Sequence, residues 1–174
     1  MGCAKKILGI DIGKIWNRRP AIEYLANYIE QLSKLTNIRA VVAIGSRARG
    51  RWKLSSDIDA IIVVDKAVSY TELPSLGIVD PRIYTVEELF DAIKTAEYEL
   101  IEAFEEGKII CDDGIWKEMQ RVDEEVKERL KIRRYKKGWK IHAKTKNRNT
   151  IHNYIHDTPK IVTVHRMNWN VNLE

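Results

Sequence analysis

Ile22, Leu25, Ile29, Leu32 and Leu35 recur at helical spacing behind Pro20, a residue suited to the first position of a helix because its missing N–H would be unpaired there anyway. The spacing predicts one amphipathic helix that ends at Asn37. The pattern then changes to nearly all-apolar runs over residues 38–44 and 58–64, rich in Val and Ile. Such runs predict strands covered on both faces and central in a sheet. Gly45-Ser46 breaks the first run and opens a short polar turn or helix to about residue 53. After a loop containing Pro74, residues 77–84 read as a third strand. Thr85 and Glu88 form a Thr-x-x-Glu capping box at the head of one long helix. Its buried face is Leu89, Ile93, Ala96, Leu100 and Phe104, and Gly107 is its stop. A short extended piece, residues 108–111, is closed by Asp112-Asp113-Gly114. A last amphipathic helix over residues 115–130 carries Trp116, Met119, Val122 and Val126, with Trp116 in the core or on a partner-facing patch.

Strands clustered between helices predict an α/β (α+β) class, with a small mixed β-sheet covered by helices. Residues 1–18, including Gly9-Ile10-Asp11-Ile12-Gly13, read as a short apolar lead-in. Beyond Trp139 the composition shifts to Asn, Thr and Lys and holds all four histidines. The expected organisation is one domain over residues 1–139, its motif-bearing core at about 20–137, and a C-terminal tail over 140–174 in which 161–164 could form one strand.

A formal net charge of +5 over 174 residues favours an anionic partner, such as a triphosphate, nucleic acid or acidic protein. Cys3 and Cys111 lie far apart and form no metal or redox spacing, so reduced cysteines in a cytoplasmic protein are expected. No apolar run approaches the roughly 20 residues of a membrane helix. Met1-Gly2-Cys3 has Lys6 where a myristoylation site needs Ser or Thr, and no long apolar stretch follows to make a signal peptide.

The chemistry concentrates in Gly45-Ser46-Arg47-Ala48-Arg49-Gly50 and in Ser56-Asp57-Ile58-Asp59. Asp57 and Asp59 stand two apart at the head of a strand, so their side chains share a face. Adjacent carboxylates repel, and a divalent cation offsets that cost; Mg²⁺ prefers a few carboxylates together with triphosphate oxygens. Gly45 lets the backbone approach a phosphate, Ser46 can donate its hydroxyl to one, and N–H groups at the helix start add an anion site. Arg47, Arg49 and Arg51 bring positive charge around it.

Gly-Ser, ten residues and Asp-x-Asp, each half flanked by an apolar strand, resembles the signature of the DNA polymerase beta-like nucleotidyltransferases. Gly-Ser-x-Ala-Arg-Gly with Ser-Asp-x-Asp is similar to that superfamily's minimal branch. The resemblance implies a polymerase beta-like fold and a Mg²⁺-dependent, two-metal transfer of a nucleoside monophosphate, AMP from ATP in the first instance, to a hydroxyl acceptor. A third carboxylate comes, in that family, from Val-Asp-x-Arg on a later strand; Val79-Asp80-Pro81-Arg82 matches at Asp80 and Arg82. Pro81 departs from the pattern and points to an edge strand. Asp57, Asp59 and Asp80 are thereby expected as catalytic metal ligands, and Gly45, Ser46, Arg47, Arg49 and Ser56 as nucleotide-binding residues. Minimal members often place AMP on a HEPN-type toxin, which makes a protein acceptor the expectation for this short chain, by analogy of fold.

Two other classes compete. One is a non-catalytic nucleotide- or partner-binding module that retains the fold. The other is a nucleic-acid binder using Arg133-Arg134-Tyr135-Lys136-Lys137 and Trp139, a stretch that also reads as the basic end of a helix. His152 and His156 could share a helix face as metal ligands, but the nearby Pro159 argues against that helix.

Overall fold

The computed structural model describes residue 7 and residues 9–75, 77–136 and 138–140. Two compact units divide the chain at residues 1–130 and 131–174.

In the first unit, α1 spans Ala21–Leu32 and buries Ala21, Ile22, Leu25, Tyr28, Ile29 and Leu32. Pro20 is its N-cap rather than its first helical residue. The helix stops before Asn37, where the Ser33 hydroxyl donates to Glu30 O at 2.7 Å and offers the backbone an alternative to another turn. Leu35 therefore falls outside the helix and is 46% exposed, not on the buried face its spacing suggested. Strands β1 (Ile38–Ala43), β2 (Ile58–Val64), β3 (Val79–Thr85) and β4 (Lys108–Asp112) form one sheet in the order β3-β2-β1-β4. β2 and β3 run parallel and the other pairs antiparallel, which makes the sheet mixed as expected.

The two central strands are apolar apart from Arg39 and Asp59 because both faces of the sheet are covered. Ile58, Ala60, Ile62 and Val64 join Val41, Ala43, α1 and the lead-in residues Ile7, Ile12 and Ile15 on one side. Ile61 and Val63 join Ala40 and Val42 on the other, under α3 (Val86–Lys94), α4 (Tyr98–Glu106) and α5 (Ile115–Leu130). Trp116 belongs to this second core and stacks on Phe104 with ring centroids 4.3 Å apart. Fully burying each such large apolar side chain contributes about 1.5–3 kcal/mol.

β3 is an edge strand, as Pro81 implied. The Ile58 N–H donates to Ile78 O at 2.8 Å, so the even-numbered residues of β3 bond β2 and the odd-numbered ones face the open edge. The Pro81 nitrogen points outward, and its missing donor costs the ladder nothing.

The helix expected over residues 85–107 is two helices. The Thr85–Glu88 capping box is present in both directions and starts α3. At Ala96 the backbone turns left-handed, φ 56°, and α4 begins two residues later. Neither Gly nor Pro marks the break. An αL residue at a helix C-terminus is usually glycine, and alanine there costs about 1–2 kcal/mol. The apolar spacing runs on through the break, which is why periodicity alone reads one helix.

Cys111 in β4 is disulfide-bonded, and no free cysteine occurs among the described residues, which corrects the expectation of reduced thiols; Cys3 lies outside the described residues. No helix among the described residues is long and apolar enough to cross a membrane.

In the second unit, β5 (Arg133–Tyr135) and β6 (Gly138–Lys140) pair antiparallel. Residues 133–136 of the basic stretch are thus a strand and turn, not the end of a helix. Its cations lie over aromatic rings within the hairpin: Arg134 is 5.1 Å from the Trp139 ring centroid and Lys136 is 5.4 Å from that of Tyr135. Strand 161–164 and the His152–His156 pair lie outside the described residues.

Candidate active site

The turn that ends β1 opens α2, a single helical turn over Gly45–Ala48. Gly45 has φ 66°, and a Cβ there would stand 2.8 Å from Asp59 Oδ2. Both facts call for glycine: the backbone is left-handed and a carboxylate occupies the side-chain space. Ser46 follows, half-exposed.

Asp59 lies in β2 directly opposite Asp80 in the parallel register of β3, so the two carboxylates share a face of the sheet. Asp57 precedes β2 by one residue, two before Asp59. Asp59 and Asp80 are thus brought together, and Asp57 is near enough for its charge to act on Asp59. Burial pushes the Asp59 carboxyl above its usual range; Arg82 opposes the shift, and the charges of Asp80 and Asp57 add to it.

Arg82 shares that face and sits among the acids. Its Nη1 is 2.6 Å from Asp80 Oδ2 and 3.9 Å from Asp59 Oδ1, and its Nε is 3.0 Å from Glu99 Oε1 on α4. Burial disfavours the charged guanidinium, but Asp80, Glu99 and Asp59 outweigh it and raise its pKa. Glu99 was not legible in the sequence. Read within one continuous helix it is an ordinary polar position, and the turn at Ala96 brings it to the site. Burial raises the Glu99 carboxyl too, against the pull of Arg82.

The basic residues diverge from expectation. Arg47 is 2% exposed and its guanidinium donates to four main-chain carbonyls. These are Asp57 O at 2.9 Å, Ser56 O at 2.6 Å, Ile12 O at 3.0 Å and Lys14 O at 3.3 Å. It is a clamp that ties the lead-in to the loop carrying Asp57, not a residue available to a nucleotide. Ser56 likewise serves the loop, its hydroxyl accepting from the Lys53 N–H at 2.9 Å. Arg49 stands on the surface, 3.5 Å from Glu106 and 3.8 Å from Glu102 of α4.

Two spaces adjoin the carboxylates. A cleft of about 150 Å³ between α2 and α4 is lined by Gly45, Arg49, Asp59, Glu99 and Glu102. A groove of about 640 Å³ runs beside β3, lined by Tyr28, Val68, Leu73, Pro81 and Ile83, with Asp80 on its wall.

The donor set of Asp57, Asp59 and Asp80 is all hard oxygen and in excess of its neutralising charge, which suits Mg²⁺. Among the described residues no three acidic, His or Cys side chains converge on a metal position as they stand; Arg82 is the cation among them. The chain matches a family model described as "Nucleotidyltransferase domain" over residues 22–163. No curated protein matches it.

Proposed function

Because the chain belongs to the nucleotidyltransferase domain family, we propose that it moves a nucleoside monophosphate, AMP from ATP, onto a hydroxyl of a partner protein. The observation that carries the site assignment is the parallel register of Asp59 with Asp80, with Gly45 beside Asp59 and Asp57 two residues earlier in the chain. Asp57, Asp59 and Asp80 would hold Mg²⁺, two ions in the proposed mechanism, whose chemistry is to neutralise the triphosphate and make the acceptor hydroxyl acidic. Gly45 leaves room for the Asp59 carboxylate, Ser46 can donate its hydroxyl to a phosphate oxygen, and Arg49 can exchange Glu102 and Glu106 for phosphate charge. Asp59 and Asp80 open onto different spaces. The α2–α4 cleft, lined by Gly45, Arg49 and Asp59, thus suits the nucleotide. A protein acceptor is favoured by the likeness of Gly45–Gly50 and Ser56–Asp59 to the minimal branch, in which HEPN-type partners are modified.

The test is incubation with Mg²⁺ and ATP labelled on the α-phosphate, with and without cell lysate, beside an Asp57→Ala/Asp59→Ala variant. Label on one lysate protein, absent with the variant, supports the proposal. Label on a small molecule corrects the acceptor class. Mg²⁺-dependent nucleotide binding with no transfer from any of the four triphosphates favours the binding-module reading.

A further inference from the structure

Arg82 sits between two of the carboxylates read above as metal ligands. One of its Nη atoms lies 2.6 Å from Asp80 and 3.9 Å from Asp59, and it also donates to Asp80 O at 3.3 Å. Its Nε is paired on a different side with Glu99, at 3.0 Å. The guanidinium is therefore shared between two strand carboxylates and one helix carboxylate. Glu99 reaches it only because the chain turns through a left-handed alanine at Ala96. A backbone strain of that kind, with no Gly to relieve it, persists where the surroundings hold it in place.

We propose that Arg82 is a resident counter-cation that holds Asp59 and Asp80 in the metal-free protein, and that Glu99 is the positioning residue that retains Arg82 when a divalent cation displaces it. The inference rests on the metal reading of Asp57, Asp59 and Asp80 above. Without Arg82 the carboxylates of Asp59, Asp80 and Glu99 would face one another unneutralised across one cluster, and like charges at that range oppose folding. With Arg82 but without Glu99, an entering cation would have to push a guanidinium away from its ion pairs with nothing to receive it. The pair thus keeps the metal-free site folded at some expense of cation affinity, and Glu99 limits that expense.

The experiment is Mn²⁺ binding to the purified full chain, read from the electron paramagnetic resonance of free Mn²⁺. It is run on the wild type, Asp57→Asn, Glu99→Gln, Arg82→Gln and the Glu99→Gln/Arg82→Gln double variant. Glu99→Gln is expected to weaken binding by about tenfold, the scale of an outer-shell partner. Arg82→Gln is expected to tighten it, and the double variant to match Arg82→Gln within about threefold, because Glu99 acts through Arg82. Melting in EDTA gives a second readout. Arg82→Gln melts below the wild type, and saturating Mn²⁺ raises its melting temperature by more than it raises that of the wild type. Weaker binding by Arg82→Gln would show that Arg82 builds the metal site instead of competing for it and would overturn the proposal. So would unchanged binding by Glu99→Gln, or a Glu99→Gln loss that persists at full size in the Arg82→Gln background, which would make Glu99 a direct ligand. A wild type that binds Mn²⁺ no better than Asp57→Asn would overturn the metal reading itself, and this inference with it.

Discussion

Arg47 and Arg49 occupy one short stretch of chain and have opposite surroundings. Leucine at position 47 would leave the carbonyls of Ile12, Lys14, Ser56 and Asp57 without their donor. Each buried carbonyl left unsatisfied costs about 1–3 kcal/mol, so Arg47→Leu should lose more than about 3 kcal/mol in urea denaturation. Arg49→Ala breaks only partly exposed pairs with Glu102 and Glu106 and should cost less than about 1 kcal/mol. Its effect should appear instead as weaker ATP binding in calorimetry. If the Arg47 variant keeps full stability and loses nucleotide affinity, the clamp assignment is wrong. Gly45→Ala combines a left-handed backbone with a contact on Asp59 Oδ2. It should destabilise by about 1–2 kcal/mol and slow transfer of label from ATP on the order of tenfold or more, because the displaced group is a carboxylate of the site.

At the scale of elements, the break between α3 and α4 decides which helix residues reach the sheet. Ala96→Gly should relieve the left-handed strain, less the added entropy of a glycine in the unfolded chain. A net gain of about 0.5–1 kcal/mol is expected, seen as a melting temperature higher by about 1–3 °C. A fall on that substitution would mean that the Ala96 methyl, half-buried beside the second core, contributes more packing than the backbone costs. The edge strand shows the same economy. Pro81 faces outward, and the Glu88 side chain accepts from the Thr85 N–H at 2.8 Å, so two edge donors of β3 are absent or occupied. Edges blunted in this way resist pairing with other chains.

For the molecule as a whole, alkaline stability tests the polar contacts around the sheet. Burial, the charges of Glu97 and Glu99 and the hydrogen bond to Glu97 push the Tyr84 hydroxyl up to about 12 from an ordinary 10.0. The neutral phenol is favoured by the fold, so its contribution is complete below pH 10.0 and is lost as pH rises toward about 12. Tyrosinate absorbance should show Tyr84 titrating late, and Tyr84→Phe should remove that step and part of the alkaline loss of stability. Several features needed only local information. Both central strands, the capping box, α5, the Gly-Ser turn and the Asp-x-Asp pair were legible because periodicity, capping and motif spacing are short-range properties of the chain. Val79-Asp80-Pro81-Arg82 likewise announced an edge strand bearing an acid. The tertiary structure alone decided which charges meet. It buried Arg47 under four carbonyls and drew Arg49 to α4. It also turned the chain at Ala96 so that Glu99 holds Arg82 among the carboxylates. Those contacts join residues up to 57 positions apart. Their energies depend on burial and on the identity of distant partners, quantities that a reading of neighbours along the chain does not contain.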